Sequence, residues 1–156
     1  MLHVTALLIK DASLSHSLQA AFLLPVITRM LNRRIDGASA GDSQFPEVLI
    51  ICPTRELALQ IYSEARKFVH NTIYKPVVCY EGTSVGHQLK HLERGCNILV
   101  GTPQRLLDFL SRKKVRYTCT NVFATPLIVY MNWLYKFAKI NTHVHVLLHV
   151  SGTIIM

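Results

Sequence analysis

The chain has 156 residues, half of them hydrophobic, with 17 Lys and Arg against 9 Asp and Glu and a formal charge of +8. This length suits one domain with a real core and is short for two, and a mean hydropathy of +0.27 lies below a membrane-protein profile. The charge excess favours phosphate-bearing partners through counterion release, or else marks a basic surface without a specific partner; composition leaves both open. Cys52, Cys79, Cys96 and Cys119 stand singly, with no C-x-x-C pair, and most sit in or beside apolar runs. They read as small buried residues of a reducing compartment, the cytoplasm first, with ribonucleoprotein granules or the nucleus as alternatives, and a structural zinc is not expected.

The opening run 1–9 is apolar but is cut off by Lys10-Asp11 and lacks a basic leader, so it is not read as a signal peptide. Residues 20–34 are apolar at helical spacing (Phe22, Leu23, Val26, Ile27, Met30, Leu31), with Pro25 placed in the first turns. A polar loop follows over 36–43. Residues 48–52 form a continuous apolar run, the pattern of a strand covered on both faces. A helix is predicted over 55–69, with Leu57, Ile61, Ala65 and Phe68 on one side. The cycle repeats as a strand over 76–80, a helix over 84–94, a strand over 97–100 and a helix over 103–112 that begins with proline. Strands alternating with helices predict a parallel sheet with helices on its faces.

Beyond Arg116 the character changes. No acidic residue occurs from Tyr117 to Met156, and helical periodicity is lost. Runs 127–130 and 144–150 are candidate strands, and a boundary is placed near 115–117. The uncharged stretch 117–135 is interrupted by Asn121, Pro126 and Asn132, which makes it a poor membrane span, and no membrane association is expected.

Functional surfaces of such sheets lie at the carboxyl ends of the strands. Three junctions fall there: Pro53-Thr54-Arg55, Glu81-Gly82-Thr83 and Thr102-Pro103-Gln104-Arg105. The first and third combine a turn residue, a hydroxyl and an arginine where a strand hands over to a helix. That combination presents backbone N–H groups and a cation to a phosphate chain. Plainer readings compete: Arg55 pairing with Glu56 or Glu64, and Thr54 and Thr102 acting as helix caps. Arg66-Lys67 and Arg112-Lys113-Lys114 read as solvated faces. His87 and His91, four apart on a helix, have metal-binding spacing but no third ligand in view, so no metal is expected.

From residue 20 to about 115 the chain resembles the first RecA-like domain of DEAD-box RNA helicases, nearest the Vasa-like subgroup. The residues that carry this are Ala20-Ala21-Phe22-Leu23-Leu24-Pro25, Pro53-Thr54-Arg55-Glu56-Leu57-Ala58 (motif Ia), Tyr80-Glu81-Gly82-Thr83 (the glycine-pair motif) and Gly101-Thr102-Pro103-Gln104-Arg105 (motif Ib). The resemblance implies an α/β fold: an incomplete RecA-like, P-loop NTPase-type parallel sheet flanked by helices, with atypical segments at 1–19 and 116–156. It also implies a single-stranded RNA path along Pro53, Thr54, Arg55, Gly82, Thr102, Pro103 and Arg105, with a helicase or ribonucleoprotein partner as a further candidate.

The family uses ATP and Mg²⁺, but this chain departs from it. A P-loop needs Gly-Lys-Ser/Thr after a glycine-rich run, and no glycine here is followed by lysine. The acidic motif expected beyond residue 115 has no counterpart; the apolar run 144–150 is a candidate to replace the strand that carries it, and the run 2–9 a candidate to replace the strand before the P-loop. Glu81 stands where the family has the first of two glycines, and Gln104 replaces a glycine. The expectation is a truncated helicase-like chain, with no catalytic residues and no cofactor of its own, that binds RNA weakly without hydrolysing ATP. The alternatives are a catalytically dead module competing with a complete helicase, and a splice or gene-model product without function.

Overall fold

Strands that are apolar at every position call for cover on both faces, and Val48–Ile51 and Ile98–Gly101 are buried at every position. The computed structural model describes residues 16–33, 36–38, 40–42, 44–116, 122–124, 148–150 and 153–155. The elements run α1 (His16–Asn32), β1 (Val48–Ile51), α2 (Arg55–Phe68), β2 (Pro76–Cys79), α3 (Val85–Leu92), β3 (Ile98–Gly101), α4 (Pro103–Ser111), β4 (Val122–Ala124), β5 (Leu148–Val150) and β6 (Thr153–Ile155). The expected alternation of strand and helix from 48 to 112 is present.

The main sheet has the order β2-β3-β1-β4 and every pair is parallel. Successive side chains of a strand point to opposite faces, and the two cores divide on that period. Val48, Ile50, Cys52, Ile98 and Val100 face α1 and α2, where Leu23, Ile27, Met30, Ala58, Ile61 and Ala65 meet them. Leu49, Ile51, Val77, Cys79 and Leu99 face the other way, onto Leu92 of α3 and Leu106 and Phe109 of α4. The result is a three-layer α/β/α arrangement. Cys52, Cys79 and Cys96 are buried free thiols, and desolvation raises the pKa of each well above the ordinary thiol value.

Two expectations need correction. Pro25 lies mid-helix rather than in the first turns, because α1 begins at His16. Its ring faces solvent, and the cost is a lost intrahelical hydrogen bond together with crowding of the carbonyl four residues back. The run 144–150 was expected to replace the strand that carries the acidic motif. Instead, Leu148–Val150 pairs antiparallel with β6 in a separate two-stranded sheet, and Val122–Ala124 takes the place beside β1. The candidate strand at 127–130, the substitute strand at 2–9 and Cys119 lie outside the described residues.

A polar tie holds the loop before β1 against the start of β3. Asn97, almost fully buried, accepts from the backbone N–H groups of Ala38 and Lys75 at 3.1 Å each and donates to the Asp36 carbonyl at 3.1 Å. One amide thus satisfies three backbone groups from two loops. Among the described residues no helix is long and apolar enough to cross a membrane.

Candidate functional site

The ends of β1, β2 and β3 are level. Ile51 and Cys79 both pair with Gly101, and the ladder runs one step further through Cys52 N–H to Gly101 O (2.8 Å) and Thr102 N–H to Cys79 O (3.0 Å). The three junctions singled out in the sequence therefore leave the sheet side by side.

The first junction is a capped helix start. Thr54 has extended backbone and its Oγ1 accepts from Leu57 N–H at 3.3 Å, so it is the N-cap of α2. Arg55 follows, exposed, with its guanidinium 4.7 Å from the centre of the Tyr80 ring. The ion pairs among the described residues join Glu64 to Lys67, Asp108 to Arg112 and Glu93 to Lys114, and none involves Arg55. Arg55 is therefore held by an aromatic face, which leaves its N–H edge open to solvent. Arg112 pairs with Asp108 on its own helix, and Lys114 reaches across to Glu93 at the end of α3 at 3.0 Å.

The second junction is rigid. Gln88, buried on α3, donates to Tyr80 O at 2.9 Å and accepts from Tyr80 N–H at 3.2 Å, fixing the end of β2 through both backbone groups. Gly82 has φ +82°, a left-handed conformation that favours glycine, and its missing Cβ would sit 3.6 Å from Arg55 Nη1. The Arg55 guanidinium thus lies close beside the Gly82 backbone.

The third junction is less open than the motif suggests. Thr102, Pro103 and Arg105 are all buried, while Gln104 is exposed. The Thr102 hydroxyl makes no capping hydrogen bond and donates instead to the Glu81 carboxylate. Arg105 donates from Nη2 to Thr83 O at 3.1 Å and lies over Phe109, with its guanidinium 5.9 Å from the ring centre. Its Nη1 is buried without a hydrogen-bond partner. The turn from Tyr80 to Thr83 is the hub of the site: Arg55 flanks it on one side and Arg105 on the other.

A family model described as DEAD/DEAH box helicase matches residues 20–129, most of the chain. The chain belongs to the DEAD/DEAH box helicase family. This DEAD/DEAH box helicase chain is 46% identical over 96 residues to the human "Probable ATP-dependent RNA helicase DDX4", covering 62% of this chain and 13% of that protein. It is 48% identical over 99 residues to "Probable ATP-dependent RNA helicase vasa-like" of Penaeus vannamei, covering 64% of this chain and 14% of that protein. The chain thus spans a small fraction of the length of these relatives, and the resemblance to the Vasa-like subgroup holds. Among solved structures, the yeast DEAD-box splicing factor Prp28 superposes with a TM-score of 0.65 at 25% identity, covering 84% of this chain and 33% of that one. The partial RecA-like fold is therefore that of a DEAD-box helicase.

Sequence reasoning named Tyr80 only as part of the glycine-pair motif, without its contact to Arg55, and missed Gln88. Tyr80 supports Arg55 and Gln88 fixes Tyr80, and neither contact follows a local periodicity. The Gln88 bonds span eight residues, across a turn and into the next helix.

Proposed function

We propose that this chain binds single-stranded RNA along its sugar-phosphate backbone, weakly and without sequence preference, and does not hydrolyse ATP by itself. The observation that carries this reading is the alignment of three strand ends that sets exposed Arg55 against Gly82, with the start of α4 beside them. Arginine suits bidentate phosphate contact, and contacts of that kind give affinity without base choice.

The residues present do not fit ATP and Mg²⁺. The start of α1 reads His16-Ser17-Leu18-Gln19, with neither glycine nor lysine to cradle and neutralise phosphates. Gln19 is buried there, and its amide brings no positive charge. Beside β4, which lies next to β1, the sequence offers no carboxylate for a magnesium ion. Phosphoryl transfer is mostly positioning and charge neutralisation, so neither requirement is met.

Fluorescence anisotropy with a labelled oligouridine is expected to rise at low salt and to lose affinity with a log–log slope of roughly −2, the value for about three phosphates contacted. Flat anisotropy at low salt would refute the reading. Mg-ATP is expected to leave the melting temperature unmoved, whereas a ligand at a hundred times its Kd would add about 2.7 kcal/mol of stability.

A second reading, a catalytically dead module that engages a helicase or ribonucleoprotein partner, draws on the outer face of α1. Leu24 and Leu31 are about half exposed there, beside Arg29 and Arg33. Retention of a partner through RNase treatment separates it from the first reading.

A further inference from the structure

At the start of α4 a carboxylate occupies the position that suits an incoming anion. A helix N-terminus attracts negative charge through its free N–H groups and dipole, and α4 spans nine residues. Glu81 accepts the Thr102 hydroxyl there, which takes that N-cap side chain out of use. A second, independent feature lies in the first turn of the same helix. Arg105 is only 8% exposed, its Nη2 reaches Thr83 O, and its Nη1 has no hydrogen-bond partner. A buried guanidinium nitrogen without an acceptor is costly, and a phosphate oxygen would supply one.

We propose that Glu81 is an internal competitor for the RNA backbone: its carboxylate holds Thr102, and a phosphate reaches Thr102 and Arg105 only when Glu81 swings away. The proposal rests on the RNA-binding reading and adds an affinity-setting residue to that site. Glu81 is exposed and sits next to Gly82, so its side chain has room to leave without disturbing the core. Its negative charge also opposes the approaching strand. Both effects act in one direction, and both disappear with the carboxylate.

The test measures oligouridine affinity and its salt slope for the full chain and for Glu81→Ala, Glu81→Gln, Arg55→Ala and Glu81→Ala with Thr102→Val, with a thermal melt of each to establish folding. Glu81→Ala is expected to bind about tenfold tighter, the size of one freed charge-assisted hydrogen bond. Its salt slope should steepen by about 0.7, one added phosphate on a single strand. Glu81→Gln loses the charge but can still accept the Thr102 hydroxyl, so it should gain less than alanine. It also decides the matter should the alanine variant fail to fold: no gain over wild type would then overturn the proposal. Adding Thr102→Val should cut the alanine gain to about that of Glu81→Gln, the part due to charge alone; an undiminished gain overturns the Thr102 gate. If Arg55→Ala weakens binding while Glu81→Ala leaves it unchanged or weaker, the competitor role falls and the RNA reading stands. If no variant and no wild type binds, both fall together.

Discussion

Gly101→Ala is expected to lower the melting temperature by roughly 10 °C, a destabilisation of about 3 kcal/mol at the upper end of typical overpacking penalties. The added Cβ would lie 2.5 Å from Cys79 Sγ, 2.8 Å from Cys79 O and 3.1 Å from Leu106 Cδ2. None of these neighbours can yield easily. The Cys79 carbonyl is backbone and accepts from Thr102 N–H at 3.0 Å, Cys79 is fully buried, and Leu106 has no exposed surface. The first glycine of motif Ib is therefore a packing residue between β2 and α4. Gly82→Ala makes the contrast: only Arg55 Nη1 lies near its Cβ, at 3.6 Å, an ordinary contact. Its penalty is backbone strain at positive φ of about 1 kcal/mol, and its main effect should fall on where Arg55 points. Urea or thermal unfolding followed by circular dichroism ranks the pair. A Gly101→Ala melt within about 2 °C of wild type would show that the sheet end is looser than the geometry states.

Those two glycines also show what the sequence made legible. Both belong to recognisable motifs, and the motifs place them at strand ends. Their different jobs depend on which neighbour stands opposite, which no local pattern carries. The central strands were readable because Val48–Ile51 and Ile98–Gly101 are buried on both faces and so are apolar at every position. Val122–Ala124 was not, since three residues in a Thr- and Asn-rich stretch carry no period and become a strand only by pairing with β1. The run 144–150 was apolar enough to be a strand, but apolarity does not choose a partner, and its last residues pair with Thr153–Ile155. Glu81 shows the same limit on the chemical side. A carboxylate in place of a family glycine was legible, while the hydroxyl that holds it comes from a residue 21 positions away.

The arginines of motifs Ia and Ib look equivalent in sequence, and the structure separates them into distinct experiments. Arg55→Ala is expected to weaken oligouridine binding about tenfold, the loss of one charge-assisted contact. Its melting temperature should barely change, because an exposed cation–π contact such as that with Tyr80 is worth only about 0.5–1 kcal/mol. Arg105→Ala should lose binding and also destabilise by about 2–3 kcal/mol, since it strips the Thr83 carbonyl of its donor and removes a buried side chain lying over Phe109. Arg105→Lys restores the charge without the fork that spans Thr83 and a ligand, so it should recover stability better than affinity. Anisotropy measured well below every melting transition keeps the two effects apart. Should Arg55→Ala bind as tightly as wild type while remaining folded, the exposed cation at the level strand ends is not touching phosphate. The basic charge would then act only as a diffuse attraction, indifferent to which arginine is removed.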